Sequence, residues 1–475
     1  MGAAGTLSSS TSNVDGDRTR SWWLREARRD ESVTPLAGSR SADVCVVGGG
    51  FTGLWTALRV KELEPTAEVV LIEADICGAG ASGRNGGFAM SFWHHFLGLE
   101  RVCGGAEATR LARASAQAVD DIGRFCTEHG IDAQYRRNGW FWTATNAAQV
   151  GAWTSTIEAI AHHGEEPFHR IASEALSART GSSAHIAGVF EPTSATVQPA
   201  LLARGLLRVA SERGVAVFER SPMIALERST PLVVRTPVGC VSADRVVIAT
   251  GAWAARLPEL RRAFVIVSSD VVITDPAPDE LQRIGWRDGA SISDSRLMVH
   301  YYRTTLDGRI AFGKGGGRII FGARIGSSFS GPSPIASKLT GQLRALYPSL
   351  ATVPVAASWN GPIDRTVDGL PFFFTLGRPD LVCGAGYSGN GVGPSSLGGR
   401  ILCSLALGRD DEWSRCGLVR SPPRGLPGEP WRYFGGRVVR AAVARKERAE
   451  DAGRRPARLD LALARLAPAG LVPLE

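Results

Sequence analysis

The hydrophobic pattern along the chain first becomes regular at two short apolar strands separated by a helix. Val44–Val47 is an unbroken apolar run, typical of a parallel strand buried on both faces. Apolar residues at helical spacing predict a helix over Phe51–Glu62, and Glu68–Ile72 forms the second apolar run. Strand, helix and strand in this order predict a βαβ unit of a parallel sheet.

Helical spacing and alternation then divide the rest of the chain. Helices are predicted over Ser21–Arg29, 97–130, 147–163, 198–213, 338–347 and 438–451. Short strands are predicted over Gly139–Thr145, Val215–Glu219, Met223–Glu227, Leu232–Thr236, Val241–Ala243 and 245–253. Between 264 and 359 the alternation predicts an antiparallel sheet with strands at Val265–Val267, Val271–Thr274, Val299–Arg303, Arg309–Gly313 and Arg318–Ala323. A last strand, glycine-rich turn and helix are predicted over 381–408.

The turn between the first strand and its helix carries G-x-G-x-x-G. Gly48 permits the tight turn, Gly50 lets the backbone approach a pyrophosphate, and Gly53 lets the helix pack closely on the strand. The free N–H groups and the dipole of the helix N-terminus favour the phosphates. Glu73 ends the second strand, twenty residues after Gly53, where a carboxylate would bond a ribose hydroxyl. The unit therefore predicts dinucleotide binding.

Composition narrows the class of protein. With 475 residues and 44% hydrophobic content, the chain is predicted to form two intimately joined globular domains. No apolar run is long enough to span a bilayer, and the N-terminus has no signal-peptide core, so we expect a cytoplasmic protein. Eight cysteines lie without metal-ligand spacing, which predicts reduced thiols and no metal site. The formal charge of +8 comes from arginines that are spread except in the tail, so no nucleic acid is expected.

Three further glycine-rich or strand-end segments identify the dinucleotide. They lie at 78–87, 249–251 and 384–393, far from the first motif at 48–53. A nicotinamide cofactor would need only the first motif. The 78–87 segment directly follows the ribose acid, and the helix after Pro394 would direct its dipole at the anionic edge of a reduced flavin. The set favours FAD.

These segments resemble those of a known family. DVCVVGGGFTGLWTAL, GAGASGRNGGF, VVIATGAWA, WNGPIDRTVDGLPFF and GYSGNGVGPSSLGGRIL resemble the D-amino acid oxidase-like superfamily of FAD-dependent oxidoreductases. That superfamily includes glycine, sarcosine and γ-glutamylputrescine oxidases. EPTSATVQP, HYYRTT, FGKGGG and EPWRYFGG are most similar to its aminophosphonate oxidoreductase branch, whose proposed substrates are 2-aminoethylphosphonate and related amines.

The resemblance implies an α/β fold: a discontinuous Rossmann-like FAD-binding domain with an antiparallel-sheet cap over the flavin. We predict a disordered leader and short helix at 1–35 and a basic helical extension at 411–475. The FAD domain is predicted at 36–92, 196–262 and 358–410, and the cap at 93–195 and 263–357.

The predicted cofactor contacts combine motif positions with positions implied by the resemblance. Met223 stands where family members bond adenine through the backbone. FAD is expected to be noncovalent, because Tyr387–Asn390 replaces the cysteine context of sarcosine oxidase. The predicted residues are Gly48, Gly50, Phe51, Thr52, Gly53, Glu73, Ala74, Ser82, Gly83, Arg84, Asn85, Gly86, Gly87, Met223, Thr250, Gly251, Gly386, Tyr387, Gly389, Asn390 and Gly391.

Candidate substrate residues lie on the cap sheet and its edges. His300 to Arg303 alternate between faces, so one pair should face the flavin; His300, Tyr302 and Arg303 are candidates. Arg303 or Arg324 could clamp a carboxylate or phosphonate, although a solvated surface arginine is the more common case for each. Lys314 could place a positive charge near flavin for oxygen activation, or could be an ordinary turn lysine.

The predicted reaction is oxidation of a small amine or amino acid to an imine, followed by hydrolysis, with O2 or another electron acceptor. It needs positioning more than an acid–base pair, and the sequence shows none. Two alternatives stay open: a γ-glutamylputrescine or polyamine oxidase, for which Asp294 is the one hint, and an FAD-stabilised binding protein with a basic tail. A monomer or homodimer is expected.

Overall fold

The computed structural model describes residues 20–27, 33–326 and 329–468. Its strands are β1 Gly38–Val47, β2 Val69–Ile72, β3 Phe88–Ala89, β4 Trp140–Ala144, β5 His169–Ile171, β6 Ala187–Glu191, β7 Ala195–Thr196, β8 Ala216–Phe218, β9 Ala225–Glu227, β10 Leu232–Arg235, β11 Gly239–Ile248, β12 Val265–Thr274, β13 Ser291–Asp294, β14 His300–Thr304, β15 Ile310–Lys314, β16 Val355–Arg365, β17 Phe372–Thr375 and β18 Leu381–Ala385. Its helices are α1 Trp22–Glu26, α2 Phe51–Leu63, α3 Phe96–Cys103, α4 Gly105–Glu128, α5 Thr154–His162, α6 Ser173–Thr180, α7 Pro199–Glu212, α8 Pro278–Ile284, α9 Ala336–Leu346, α10 Pro394–Ala406, α11 Trp431–Asp451 and α12 Arg458–Ala464.

The first sheet has eight strands around a parallel centre. Its main order is β17-β18-β11-β1-β2-β8, with β10 and β9 added beside β11. The β1, β2, β8, β11 and β18 neighbours pair in parallel. The connection from β1 to β2 is α2, as predicted for the βαβ unit, and it packs in the larger hydrophobic core. This sheet brings the carboxyl ends of β1, β11 and β18 together.

The second sheet, here called the cap sheet, also has eight strands. Its order is β16-β12-β15-β14-β13-β4-β6-β5, and every pair is antiparallel except β13 with β4. One core cluster covers the face with Tyr302 and Trp286, and another lies on the face with Val271 and Trp359. The first sheet with its parallel centre and the largely antiparallel cap sheet together confirm the predicted fold class of a Rossmann-like domain with a cap.

Several predicted cap strands differ in the structure. Arg318–Ala323 is not a strand: Ile319 makes one bridge to Val267, and the chain then turns through Gly322 at φ +60°. The two predicted strands at 265–267 and 271–274 are one ten-residue strand, β12. Sequence reasoning missed β13 and the eleven-residue β16, whose Asn-Gly-Pro run is typical of a turn. β16 also runs across the predicted domain boundary at 358.

Both ends of the described chain pack on the cap. α1 places Trp23 in the cluster with Trp359, while the leader before residue 20 lies outside the described ranges. α11 begins at Trp431, seven residues before the predicted Val438. Val443 of α11 packs with Met298 of the cap. None of the helices in the described ranges has the length and apolar character needed to cross a membrane.

Candidate active site

The turn after β1 leaves no room for side chains. A Cβ on Gly48, which has φ +113°, would lie 2.5 Å from the Ala249 carbonyl oxygen. A Cβ on Gly53 would lie 1.9 Å from the Gly48 carbonyl oxygen. The Ala249 N–H donates to Val47 O over 2.8 Å, and this hydrogen bond holds the following residues, Thr250 and Gly251, beside the glycine turn. Two of the predicted cofactor segments, 48–53 and 249–251, are therefore in direct contact.

Glu73 lies beside the glycine turn. Its carboxylate accepts the Gly49 N–H at 2.7 Å and the Asp75 N–H at 2.9 Å. Burial raises the pKa of Glu73 although these N–H donors oppose the rise. The Ser221 N–H donates to the Glu73 carbonyl oxygen over 2.7 Å, which brings the segment that holds Met223 next to Glu73 and Ala74.

The loop after Ser82 is held from outside along five consecutive carbonyl groups. The donors are Ser21 Oγ to Gly83 O (2.5 Å), Trp359 Nε1 to Arg84 O (2.8 Å), Trp23 Nε1 to Asn85 O (2.9 Å), Arg303 Nε to Gly86 O (2.7 Å) and the Val197 N–H to Gly87 O (2.8 Å). They come from α1, β14, β16 and the segment before α7. Since these carbonyl groups bond to the cap side, the loop has one imposed backbone conformation.

The polar side chains of this loop serve its own structure. Ser82 Oγ accepts the Phe51 N–H at 2.9 Å. Asn85 donates to Ser82 O and accepts the Gly87 N–H, at 2.8 and 2.7 Å. Arg84 donates from Nε and Nη1 to the carbonyl oxygens of Ala79 and Phe329, so part of its guanidinium is engaged by backbone, and its contact with the cofactor stays a prediction.

The C-terminal glycine loop closes on the same region. Gly386 has φ +87°, and its N–H donates to the Asp364 carboxylate over 2.6 Å. Thr52 Oγ1 donates to the Tyr387 hydroxyl at 3.1 Å, which joins this loop to the start of α2. Asn390 Nδ2 donates to Ser91 O at 3.2 Å, while its Oδ1 is buried with no partner within the described ranges. Gly389 and Gly391 flank that amide.

Tyr301 and Arg303 are the pair on the cap sheet that faces the loop. A Cβ on Gly86 would lie 2.8 Å from the Tyr301 ring, and the Tyr301 hydroxyl lies 2.7 Å from Ser269 Oγ. Arg303 is 2% exposed and donates to the carbonyl oxygens of Gly86 and Val197. Burial lowers the pKa of Arg303 to about 9, so it still carries its charge at neutral pH. Its donors are used by backbone, which argues against the predicted clamp.

His300, Tyr302 and Lys314 lie on the opposite face of the cap sheet. Lys314 Nζ donates to Met298 O at 2.9 Å and lies 3.0 Å from His300 Nε2. Tyr302 is fully buried, and its hydroxyl lies 2.6 Å from His185 Nε2. These positions correct the expectation that the three residues approach the flavin: strand alternation directs them away from Gly86.

Two other candidates are also separated from the loop. Arg324 is exposed on the turn after Gly322, so the structure gives it no place among the glycine segments. Asp294, the hint for a polyamine substrate, is buried with Arg296 and His300 on the face opposite Tyr301. No group of three histidines, cysteines or acids that could hold a metal ion occurs within the described ranges.

Sequence reasoning missed the residues that hold the site together. Ser21, Trp23 and Trp359 supply loop donors, and Asp364 holds Gly386. Burial raises the pKa of Asp364 to about 6. Trp359 and Asp364 both lie in WNGPIDRT, a segment that resembles the family but does not by itself indicate a hydrogen-bonding role. The signal that could have identified them is an indole and an acid within a glycine- and proline-containing run.

Comparison with known proteins decides the family. The family model described as FAD dependent oxidoreductase matches residues 43–405. The chain belongs to this family of FAD-dependent oxidoreductases. It is 28% identical over 395 residues to gamma-glutamylputrescine oxidoreductase of Escherichia coli (strain K12), covering 82% of this chain and 90% of that protein. It is 27% identical over 433 residues to probable oxidoreductase OrdL of Haemophilus influenzae, covering 89% and 94%.

A solved structure shares the fold. Glycine oxidase from Geobacillus kaustophilus aligns with a TM-score of 0.66 at 20% sequence identity, covering 82% of this chain and 100% of that one. The residues present fit FAD, since the glycine turn would be filled by any Cβ at Gly48 or Gly53 and the amide oxygen of Asn390 is free to accept. The described residues are therefore compatible with the FAD that the family binds.

Proposed function

We propose that the enzyme oxidises a small amine or amino acid to an imine, which water then hydrolyses to a carbonyl compound. Bound FAD would supply the acceptor for the hydride that leaves the carbon next to nitrogen. The observation that carries the proposal is the loop fixed by five carbonyl hydrogen bonds beneath Tyr301. A rigid loop facing an aromatic cap residue positions a substrate without an acid–base pair.

FAD would be held noncovalently by those predicted residues whose hydrogen-bonding groups are not fully engaged within the protein. The pyrophosphate would lie on the N-terminus of α2, which begins at Phe51 after Gly50, and Glu73 would face the ribose. The adenine would pass the segment that contains Met223. The 386–391 loop contains no cysteine, and the nearby Cys383 is fully buried in β18, which supports noncovalent binding.

One of two ionisable residues near the glycine loops supports a small substrate with an anionic group, such as 2-aminoethylphosphonate. Arg365 ends β16, on the same face as Ile363, which contacts Gly389. Burial lowers the pKa of Arg365 only to about 10, so it still carries its charge at neutral pH and would attract a phosphonate or carboxylate. Glu191 is buried near Ser91, and burial raises its pKa to about 7, so at neutral pH it is only partly ionised and would attract an ammonium group less than an exposed carboxylate does.

A γ-glutamylputrescine-type substrate is the second candidate. The relative that carries this activity in its name matches 82% of the chain, and this is the observation that favours it. For both candidate substrates, the proposed electron acceptor is O2 or another compound.

Anaerobic reduction tests these alternatives. The FAD-loaded protein is mixed without oxygen with 2-aminoethylphosphonate, its N-methyl form, glycine, sarcosine or γ-glutamylputrescine, and flavin absorbance is followed. Bleaching by an aminophosphonate supports the proposal, and bleaching by γ-glutamylputrescine alone supports the second candidate. Flavin that stays oxidised with every compound contradicts both substrate candidates.

A Gly50→Val change tests the cofactor site. A Cβ at Gly50 already comes to 3.0 Å from Ser82 Oγ, and the branched side chain would occupy the approach of the pyrophosphate. We expect the purified variant to lose FAD, measured by flavin absorbance relative to protein. Gly341→Val, where a Cβ meets nothing within 4 Å, is the control and should retain FAD. Full loading of Gly50→Val would overturn the assignment.

A further inference from the structure

The FGKGGG segment is not used by the proposed active site. Its lysine, Lys314, ends β15 on the cap face opposite Tyr301, and the three glycines turn toward α11. A cavity of about 130 Å³ lies there, between the cap sheet, α9 and α11. Gly315, Gly316 and Gly317 form part of its wall.

Every charged residue that lines this cavity is a cation. Lys314 comes from β15, Lys338 from α9 and Arg440 from α11, so three separate elements each contribute one positive charge. Lys314 is 7% exposed and has two hydrogen-bond partners, Met298 O and His300 Nε2, which leave its third N–H available. Arg440 Nε donates to Gly316 O at 3.0 Å, and this contact holds the guanidinium against the glycine turn.

The glycine turn adds a backbone donor. The N–H groups of Gly315 and Gly317 donate to Val299 O and Ser268 O at 2.9 and 2.8 Å, which fixes the turn. Gly316 lies between them at φ +66°, and its N–H has no partner in the described part of the chain. A Cβ at Gly317 would come to 2.2 Å from Ser268 Oγ, so the turn requires glycine. Free N–H groups in glycine turns bind anions.

The nearest acids are already occupied by donors. Glu447 accepts the Met298 N–H at 2.8 Å. Asp270 accepts from Ser268 Oγ at 3.0 Å and from Ser333 Oγ at 2.7 Å. Both acids lie close enough to act on the cations, Glu447 on Lys314 and Arg440 and Asp270 on Arg440, so two acids offset part of the charge of three cations and an excess of positive charge remains.

We propose that this cavity binds a small free oxyanion with a phosphoryl or phosphonyl group, held by Lys314, Lys338, Arg440 and the Gly316 N–H. Its volume suits one tetrahedral group with water and excludes a nucleotide. Because Arg440 belongs to α11 and the two lysines belong to the cap, the anion fastens the C-terminal extension to the cap. The site lies on the far face of the sheet from the 82–87 loop and does not depend on the proposed reaction.

The test is anion binding by the full-length, FAD-loaded protein. Thermal unfolding followed by tryptophan fluorescence is titrated with inorganic phosphate or methylphosphonate against chloride at equal ionic strength, and equilibrium dialysis with labelled phosphate gives the affinity. We expect a saturable rise of the midpoint with both phosphorus oxyanions, since a ligand that binds only the folded state stabilises it. Acetate, which is planar and singly charged, should shift the midpoint less.

Lys338→Ala and Arg440→Ala remove exposed cations and are expected to fold. Each should weaken phosphate binding by about tenfold or more, as loss of a charge-assisted contact does. Arg448→Ala, on α11 but outside the cavity, is the matched control and should bind phosphate as the parent does. Phosphate that acts no differently from chloride, or binding that is unchanged in both cavity variants, would overturn the proposal.

Discussion

The two faces of the cap sheet use buried polar groups in different ways. On the face of Tyr301, Arg303 donates to backbone carbonyl groups and makes no ion pair in the described chain. On the opposite face, Asp294 pairs with Arg296 and with His300, and Arg296 also pairs with Asp451 of α11. The first face fixes the backbone of a cofactor loop, and the second docks a helix through charges.

The difference has a physical reason. A loop that must match a cofactor is best held by neutral backbone acceptors, whose geometry depends little on pH or salt. A docked helix needs only to be attached. The strength of the ion pairs that attach it depends on the protonation state of their members and therefore on pH. Changes on the first face should therefore affect FAD retention, while changes on the second should affect the extension and leave FAD in place.

The largest expected effect is that of Arg303→Met. It leaves the carbonyl groups of Gly86 and Val197 without this donor in a buried place, while Thr304 O keeps Arg136 Nη2, and we expect a loss of about 3 kcal/mol or more in the free energy of unfolding together with a large loss of FAD. Denaturant unfolding and flavin absorbance measure the two effects. Arg324→Met, at an exposed position, is the control. If Arg303→Met keeps normal FAD content, the loop is not held as we describe.

Asp294→Asn tests the opposite face. Burial would raise the pKa of Asp294, but His300 and Arg296 outweigh it and hold that pKa well below its usual range. The ionised form therefore stabilises the fold above about pH 4, and this contribution is lost as pH falls further. At pH 7 we expect the variant to lose about 2 kcal/mol and to expose α11 to protease, with FAD retained; the difference should shrink in acid.

For that variant the decisive measurement is the pair of readouts taken together. Unfolding at pH 7 and at acid pH gives the stability difference, and flavin absorbance gives FAD content. Loss of FAD with α11 still protected would show that the two faces are not separate in function.

Trp359→Phe and Trp286→Phe form a matched pair of indole deletions, one on each face. Trp359 Nε1 donates to Arg84 O, whereas Trp286 Nε1 is buried with no partner within the described ranges. We expect Trp359→Phe to cost about 1 kcal/mol more than Trp286→Phe and to weaken FAD binding. Equal stability and equal FAD affinity of the two variants would contradict the role given to Trp359.

The smallest expected effect is that of Arg445→Ala on α11. Arg445 pairs with Asp460 at 2.7 Å, and the arginine itself is exposed, so its loss should leave the free energy of unfolding nearly unchanged. Chemical denaturation should barely resolve the change, and FAD content should not move. A larger cost would mean that α12 contributes more to docking than the exposed pair suggests.

Sequence patterns predicted the cofactor unit because its determinants are close in the chain. The glycines at 48, 50 and 53 and the acid at 73 lie within one βαβ unit, whose spacing is set by the lengths of a strand and a helix. The helix over Phe51–Glu62 was correct to one residue at its end. Patterns failed at Arg318–Ala323, where an apolar run predicted a strand but the chain turns through Gly322, and at β16, where pairing with β12 overrides turn-forming residues.

By itself, the sequence determined the family and the fold class, and it predicted the glycine positions for FAD from local spacing and from the space that a missing Cβ leaves. Alternation also showed that His300 to Arg303 divide between two faces. Only the tertiary structure decided that Tyr301 and Arg303 face the loop, while Lys314 faces α11. The loop donors Ser21, Trp23, Arg303 and Trp359 lie between 62 and 275 residues from their acceptors, and no local pattern encodes contacts at such separations.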